Sequence, residues 1–176
     1  MHYLKLRLSR LSGHKYTSET KVEIPKIMQS LDEIKKMAKD KLRDNIQYEF
    51  KGNVSNTELM KQYQDKNYYV FVNVSSSEGI PVSIMEATSF GIPCIATDAG
   101  GTKEIISDKE NGVLLDRDAR TEIITASISK FCSMTDEEYR EYRRCSRERW
   151  ISKFNAKSNY EIYVTQLLKQ ISGDKE

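Results

Sequence analysis

The stretch YYVFVNVSSSEGIPVSIMEATSFG, residues 68–91, decides the fold. Tyr68 to Val74 form a continuous apolar and β-branched run, the pattern of a parallel strand covered on both faces, and this predicts a central strand. Ser75-Ser76-Ser77-Glu78-Gly79 is loop chemistry. Pro81 suits the first turn of a helix, and that helix ends at Gly91, just before Pro93. Strand, loop and helix in this order make a βα unit.

Working downstream, Cys94 to Thr97 restart a strand, Gly100-Gly101 break it, Thr102 to Ser107 suit a short helix, and Val113 to Leu115 give another strand. From Asp118 onward the pattern is helical. Ile123, Ile124, Ile128 and Phe131 recur at helical spacing, Thr135 with Glu138 forms a capping box, and a last helix after Asn155 carries Tyr160, Tyr163, Leu167, Leu168 and Ile171. Gly173 to Glu176 read as a frayed end.

Upstream, Ser55 with Glu58 predicts a helix start ahead of Leu59, Met60 and Tyr63. Alternating Ile46, Tyr48 and Phe50 predict a short strand. Ser30 with Glu33 opens a helix over roughly 31–43, with Leu31, Ile34, Met37, Ala38 and Leu42 at helical spacing. Tyr3, Leu4, Leu6 and Leu8 suggest a further strand, and residues 9–26 are polar and weakly patterned. Strands alternating with helices imply an α/β fold: a parallel Rossmann-like sheet with helices on both faces and a helical C-terminal tail.

The bulk composition limits the function classes. A chain of 176 residues suits one domain. Lys and Arg number 28 against 26 Asp and Glu, interspersed throughout, which is not a nucleic-acid-binding pattern. No apolar run approaches the ~20 residues that span a bilayer, and MHYLKLRLSR lacks a signal-peptide core, so a cytoplasmic location is expected. Cys94, Cys132 and Cys145 form no CxxC pair and read as reduced thiols, with Cys94 in the core. His2 and His14 fit no metal-ligand spacing.

Chemistry concentrates at residues 75–93, SSSEGIPVSIMEATSFGIP, at the carboxyl end of the expected strand, where open α/β sheets bind ligands. Gly79 permits close backbone approach, and the free N–H groups of the following helical turn favour an anion such as phosphate. The same residues would also serve a plain strand-to-helix turn. Glu78 lies in the loop and Glu86 about a turn and a half into the helix. Helical side chains lean toward the N-terminus, so Glu86 can reach the mouth that Glu78 borders, and carboxylates accept paired hydrogen bonds from sugar hydroxyls. A solvent-facing Glu86 and an ordinary loop Glu78 fit the spacing equally.

GIPVSIMEA with Glu78, SFGIPCIATDAGGTKEII and NGVLLD resemble the E-x7-E region of GT-B glycosyltransferases of the retaining family 4 (group 1) type, especially those that build bacterial surface polysaccharides. The resemblance extends upstream through FKGNVSN and YYVFVNVSSSEG and downstream to WISKFNAKSNYEIY, covering roughly residues 42–171. It implies that Glu78 contacts donor-sugar hydroxyls at the reaction centre and that Glu86 holds the ribose hydroxyls of the nucleotide. By the same resemblance, the backbone of Gly79, Ile80, Pro81, Val82 and Ser83 meets the sugar and diphosphate, and Gly52, Asn53 and Val54 form a loop near the nucleobase. No metal or other cofactor is implied; basic side chains and the helix dipole would oppose the leaving diphosphate.

The basic residues that the resemblance offers are Arg10 and Lys15, in SRLSGHK, against a family segment like GRL-x3-KG. Too few residues separate Lys15 from Leu31 for the helix and strand that should intervene. Either the front unit, residues 1–30, is shortened and remodelled, or the spacing is coincidental. The expectation is a single nucleotide-sugar-binding domain over residues 1–176, without the acceptor-binding half. Its partners would be a UDP- or GDP-linked sugar, an acceptor glycan or lipid-linked saccharide, and a separate acceptor-domain protein or a second copy, with inner-membrane attachment through such a partner. The alternative expectation is a non-catalytic nucleotide-sugar-binding remnant or one subunit of a split glycosyltransferase. A sugar-nucleotide epimerase of the same fold ranks last, because it should show more acids and histidines around the cleft.

Overall fold

The computed structural model describes residues 31–172, apart from 43–45, 47, 52 and 67. The strand expected at Tyr3–Leu8, the Ser30 half of the first capping box and the frayed end at Gly173–Glu176 lie outside the described residues. The elements run α1 (Leu31–Lys41), α2 (Asn56–Asp65), β1 (Phe71–Asn73), α3 (Val82–Ser89), β2 (Cys94–Thr97), α4 (Thr102–Ile105), β3 (Gly112–Leu115), α5 (Thr121–Ser133), α6 (Asp136–Phe154) and α7 (Ala156–Ser172).

The three strands form a parallel sheet in the order β1-β2-β3, with Phe71 opposite Cys94 and Cys94 opposite Gly112. Strand periodicity separates the side chains into two cores. Phe71, Cys94 and Ala96 join Tyr63, Ile84, Ala87 and Ile105 on the face covered by α2, α3 and α4. Val70, Ile95 and Leu115 join Ile124, Phe131 and Met134 on the face covered by α5. The expected α/β sheet with helices on both faces is therefore present. Wholly buried Ile84, Ile95 and Phe131 each contribute about 1.5–3 kcal/mol of burial energy.

The expected central position of β1 depends in part on residues outside the described ones. Among the described strands β2 lies in the middle and is buried at every residue, whereas β1 pairs with β2 and has Val72 and Asn73 half-buried. An apolar, β-branched run signals burial on two faces but not which neighbours pair with it. The alternation at Ile46, Tyr48 and Phe50 gives no named strand among the described residues; within this segment Glu49 holds a bridge position. Tyr48 and Phe50 instead meet edge to face, with ring centroids 5.8 Å apart. At α2 the Ser55 hydroxyl accepts the Glu58 N–H at 3.3 Å, while the Glu58 carboxylate accepts from Gln62 Nε2 at 3.2 Å.

Helix α6 ties the layers together. Tyr139 stacks on Tyr69 and donates its hydroxyl to the Tyr69 carbonyl at 2.8 Å. Arg143 Nη2 donates to Phe90 O at 3.1 Å, Arg147 donates to Ser89 O, and Arg149 donates from Nε to Ile105 O at 2.8 Å and from Nη2 to Glu104 O at 3.0 Å. These carbonyls end α3 and α4, where orphan acceptors and the negative end of each helix favour a cation. Ser146, wholly buried, donates to Asn111 O at 3.0 Å, its small side chain letting α6 approach closely. By contrast α7 buries no residue.

Candidate functional site

The carboxyl ends of β1 and β2 each lead into a loop, and the two loops lock together. After β1, Asn73 Oδ1 accepts the Ser75 N–H at 3.0 Å, and Asn73 Nδ2 donates to Glu78 Oε1 at 3.2 Å. One amide thus turns the chain and fixes the carboxylate. After β2, Thr97 Oγ1 donates to Ser75 O at 2.5 Å, and the Gly101 N–H donates to Gly79 O at 2.6 Å. Gly100 has φ +57°, and a Cβ there would collide with the backbone carbonyls of Glu78 and Gly79. Two glycines bring the second loop flush beneath the first.

Helix α3 starts at this junction. Pro81, expected in its first turn, is instead the N-cap residue, with φ −73° and ψ 98°. The extended ψ keeps it outside the helix while its carbonyl accepts from Ile84 N at 3.0 Å and Met85 N at 3.2 Å. The N–H groups of Val82 and Ser83 find no acceptor among the described residues. They leave a pair of donors with the partial positive charge of a helix start. Pro81 is buried, whereas Ile80 and Val82 are 54% and 61% exposed, so an apolar rim flanks these donors.

Glu86 is half-buried rather than solvent-facing. Its Oε1 accepts a hydrogen bond from Asn56 Nδ2, in the first residue of α2 and just after the Asn53-Val54-Ser55 approach. The structure therefore brings Glu86 to the end of the 53–55 segment, with Asn53 exposed and Val54 half-buried. Glu78, Gly79, Ile80, Pro81, Val82 and Ser83 are brought together by chain continuity and the β2 loop. Arg10, Lys15 and Gly52 lie outside the described residues.

Three residues that shape the site carry little sequence signal as ligand residues. Asn73 interrupts an apolar strand, which is a visible anomaly; Asn56 looks like an ordinary residue of a helix start; Gly100 reads as strand punctuation. All three cysteines are free, Cys94 buried and its thiol pushed well above the usual range by burial, Cys145 half-buried and Cys132 exposed. None belongs to the loops at the carboxylates. Among the described residues no helix is long and apolar enough to cross a membrane.

The model of the family "Glycosyl transferases group 1" matches residues 28–169. The GtfA subunit of a UDP-N-acetylglucosamine–peptide N-acetylglucosaminyltransferase from Streptococcus gordonii is 26% identical over 98% of this chain and 36% of its own length. A structure of the S. aureus TarM G117R mutant, in complex with fondaparinux, α-GlcNAc-glycerol and UDP, is 27% identical with a TM-score of 0.61, covering 77% of this chain and 26% of that one. A sucrose-phosphate synthase from Thermosynechococcus elongatus shares the fold with a TM-score of 0.63 at 22% identity, over 82% of this chain and 35% of its own. The chain thus spans about a third of the length of the first of these relatives. Matched over most of its length, and folded as GT-B glycosyltransferase domains are, the chain belongs to the group 1 glycosyl transferases.

Proposed function

We propose that this chain is the nucleotide-sugar-binding half of a retaining glycosyltransferase of the family 4 type, acting in bacterial surface-polysaccharide synthesis. The observation that carries the reading is the junction at the carboxyl ends of β1 and β2. There Glu78, held by Asn73, shortly precedes the N–H groups of Val82 and Ser83, which find no acceptor among the described residues. Donors of this kind suit a diphosphate, and a fixed carboxylate suits the hydroxyls of the sugar attached to it. Glu86, turned toward the 53–55 segment, suits the ribose hydroxyls, with the nucleobase against that segment.

In this reading the amides of Val82 and Ser83 and the α3 dipole stabilise charge on the leaving diphosphate, without a metal. Arg10 and Lys15 would add cations. Glu78 orients the donor sugar for transfer with retention to a saccharide or lipid-linked acceptor. UDP is favoured as the nucleotude carrier because the Streptococcus gordonii relative is named for a UDP-sugar and the TarM complex contains UDP. The acceptor would be held by a further domain or a partner protein, and orientation by that second surface is a large share of the rate. A cytoplasmic site of action goes with this reading.

Separate roles for the two carboxylates test it. Glu86→Gln should weaken UDP binding roughly ten- to a hundredfold, the worth of a charged hydrogen bond. Glu78→Gln should leave UDP binding in place and remove the additional affinity contributed by the sugar of a UDP-sugar. Calorimetry in which Glu78→Gln harmed bare UDP binding more than Glu86→Gln did would reverse the roles.

A further inference from the structure

The side chain–side chain hydrogen bond of greatest sequence separation among the described residues joins Asn56 Nδ2 to Glu86 Oε1, across 30 positions. It links the first residue of α2, which follows the 53–55 segment, to the second turn of α3. A carboxylate on a flexible stem has no preferred plane. An amide donor on one oxygen sets that plane and leaves the other oxygen to accept from a ligand. The carboxamide is fixed in turn, because once Nδ2 donates to Glu86 the direction of Oδ1 is set as well.

We propose that Asn56 is a positioning residue for nucleotide recognition: it orients Glu86 for the ribose 2′-hydroxyl and couples that contact to the segment entering α2. The inference rests on the ribose-side reading of Glu86 given above. Asn73 performs the corresponding task for Glu78, at 3.2 Å, so each carboxylate of the pair is aimed by an asparagine from a different element. The two amides differ in kind. Asn73 lies five residues from its partner, whereas Asn56 spans two helices and so makes α2 part of the recognition site.

The test is titration of the full chain with UDP and with 2′-deoxy-UDP. In Asn56→Ala, UDP affinity should fall roughly three- to tenfold while 2′-deoxy-UDP affinity changes little, so that the preference for the ribonucleotide collapses. In a Glu86→Gln background the same substitution should add less than roughly twofold, since a residue acting through Glu86 has nothing further to lose. Asn56→Asp separates positioning from folding. An acid in the first turn suits the helix dipole and keeps α2 stable, yet it sets a like charge against Glu86 and should lower UDP affinity further than alanine does.

An Asn56→Asp chain that binds UDP like the unaltered one, or an Asn56→Ala chain that loses UDP and 2′-deoxy-UDP affinity in equal measure, would overturn the inference alone. An unaltered chain that binds no UDP, or a Glu86→Gln chain that binds it normally, would overturn the underlying reading of the site and this inference with it.

Discussion

Gly100 and Gly79 lie on the two loops that meet at the candidate site and make opposite demands on a substitution. At Gly100 the backbone has φ +57°, and a methyl group would strike the Glu78 and Gly79 carbonyls, so Gly100→Ala must displace the carboxylate loop. Its left-handed backbone alone costs about 1–2 kcal/mol, and the collision adds to that. Urea unfolding should show this loss, together with weakened UDP binding. Around Gly79 nothing lies within 4 Å of an added Cβ, so Gly79→Ala should leave the urea midpoint nearly unchanged. If a diphosphate approaches the backbone there, Gly79→Ala nevertheless weakens UDP binding, and equal UDP affinity would remove that contact. At this scale the sequence shows the carboxylates and the helix start plainly. It does not show that Asn73 and Asn56 aim them, because such pairings depend on how separate elements dock.

Among the elements, α6 carries the clearest local signals. Thr135 and Glu138 form the full capping box: the Thr135 hydroxyl accepts from Glu138 N at 3.2 Å, and Glu138 Oε2 accepts from Thr135 N at 2.8 Å. Thr135→Ala should cost about 1 kcal/mol of unfolding free energy. The backbone N–H of Thr135, foremost, holds the Glu138 carboxyl below its ordinary value of 4.5. A depressed carboxyl contributes stability that is present above the unfolded value and lost as pH falls through the folded one. Acid titration of helicity should therefore show part of the loss below pH 4.5, and Glu138→Gln, which removes the titrating carboxyl, should abolish that part. Arg149, bonded to the last carbonyls of α4, makes the matching case at a C-terminus. Arg149→Met should cost about 1–2 kcal/mol in urea unfolding by leaving Ile105 O and Glu104 O without their charged donor.

These caps and the βα alternation were legible because they depend on neighbours a few residues apart. Helices α2 to α6 and strands β2 and β3 begin within a few residues of their sequence signals. What was not legible was long-range. Which strand lies central depends on pairing partners, and the arginines of α6 serve α3 and α4 across more than 40 residues, as Arg149 does to Ile105.

At the scale of the whole molecule, the described residues form two cores around one sheet, and the last helix buries none of its residues. Tyr160, Tyr163, Leu168 and Ile171 of α7 are each at least 60% exposed. Because α7 buries no residue, ending the chain at Asn155 should leave the urea midpoint of the rest nearly unchanged. An apolar stripe of this kind drives association in water, so light scattering should show the intact chain growing in mass with concentration and the shortened chain staying constant. A clear loss of stability in the shortened chain would mean that α7 docks on its own domain. The central claim concerns the segment from Glu78 to the start of α3. Calorimetric titration of the unaltered chain with UDP and with UMP addresses it most directly. UDP should bind more tightly, because its second phosphate reaches the N–H groups of Val82 and Ser83; equal affinity for the two, or binding of neither, would contradict the account.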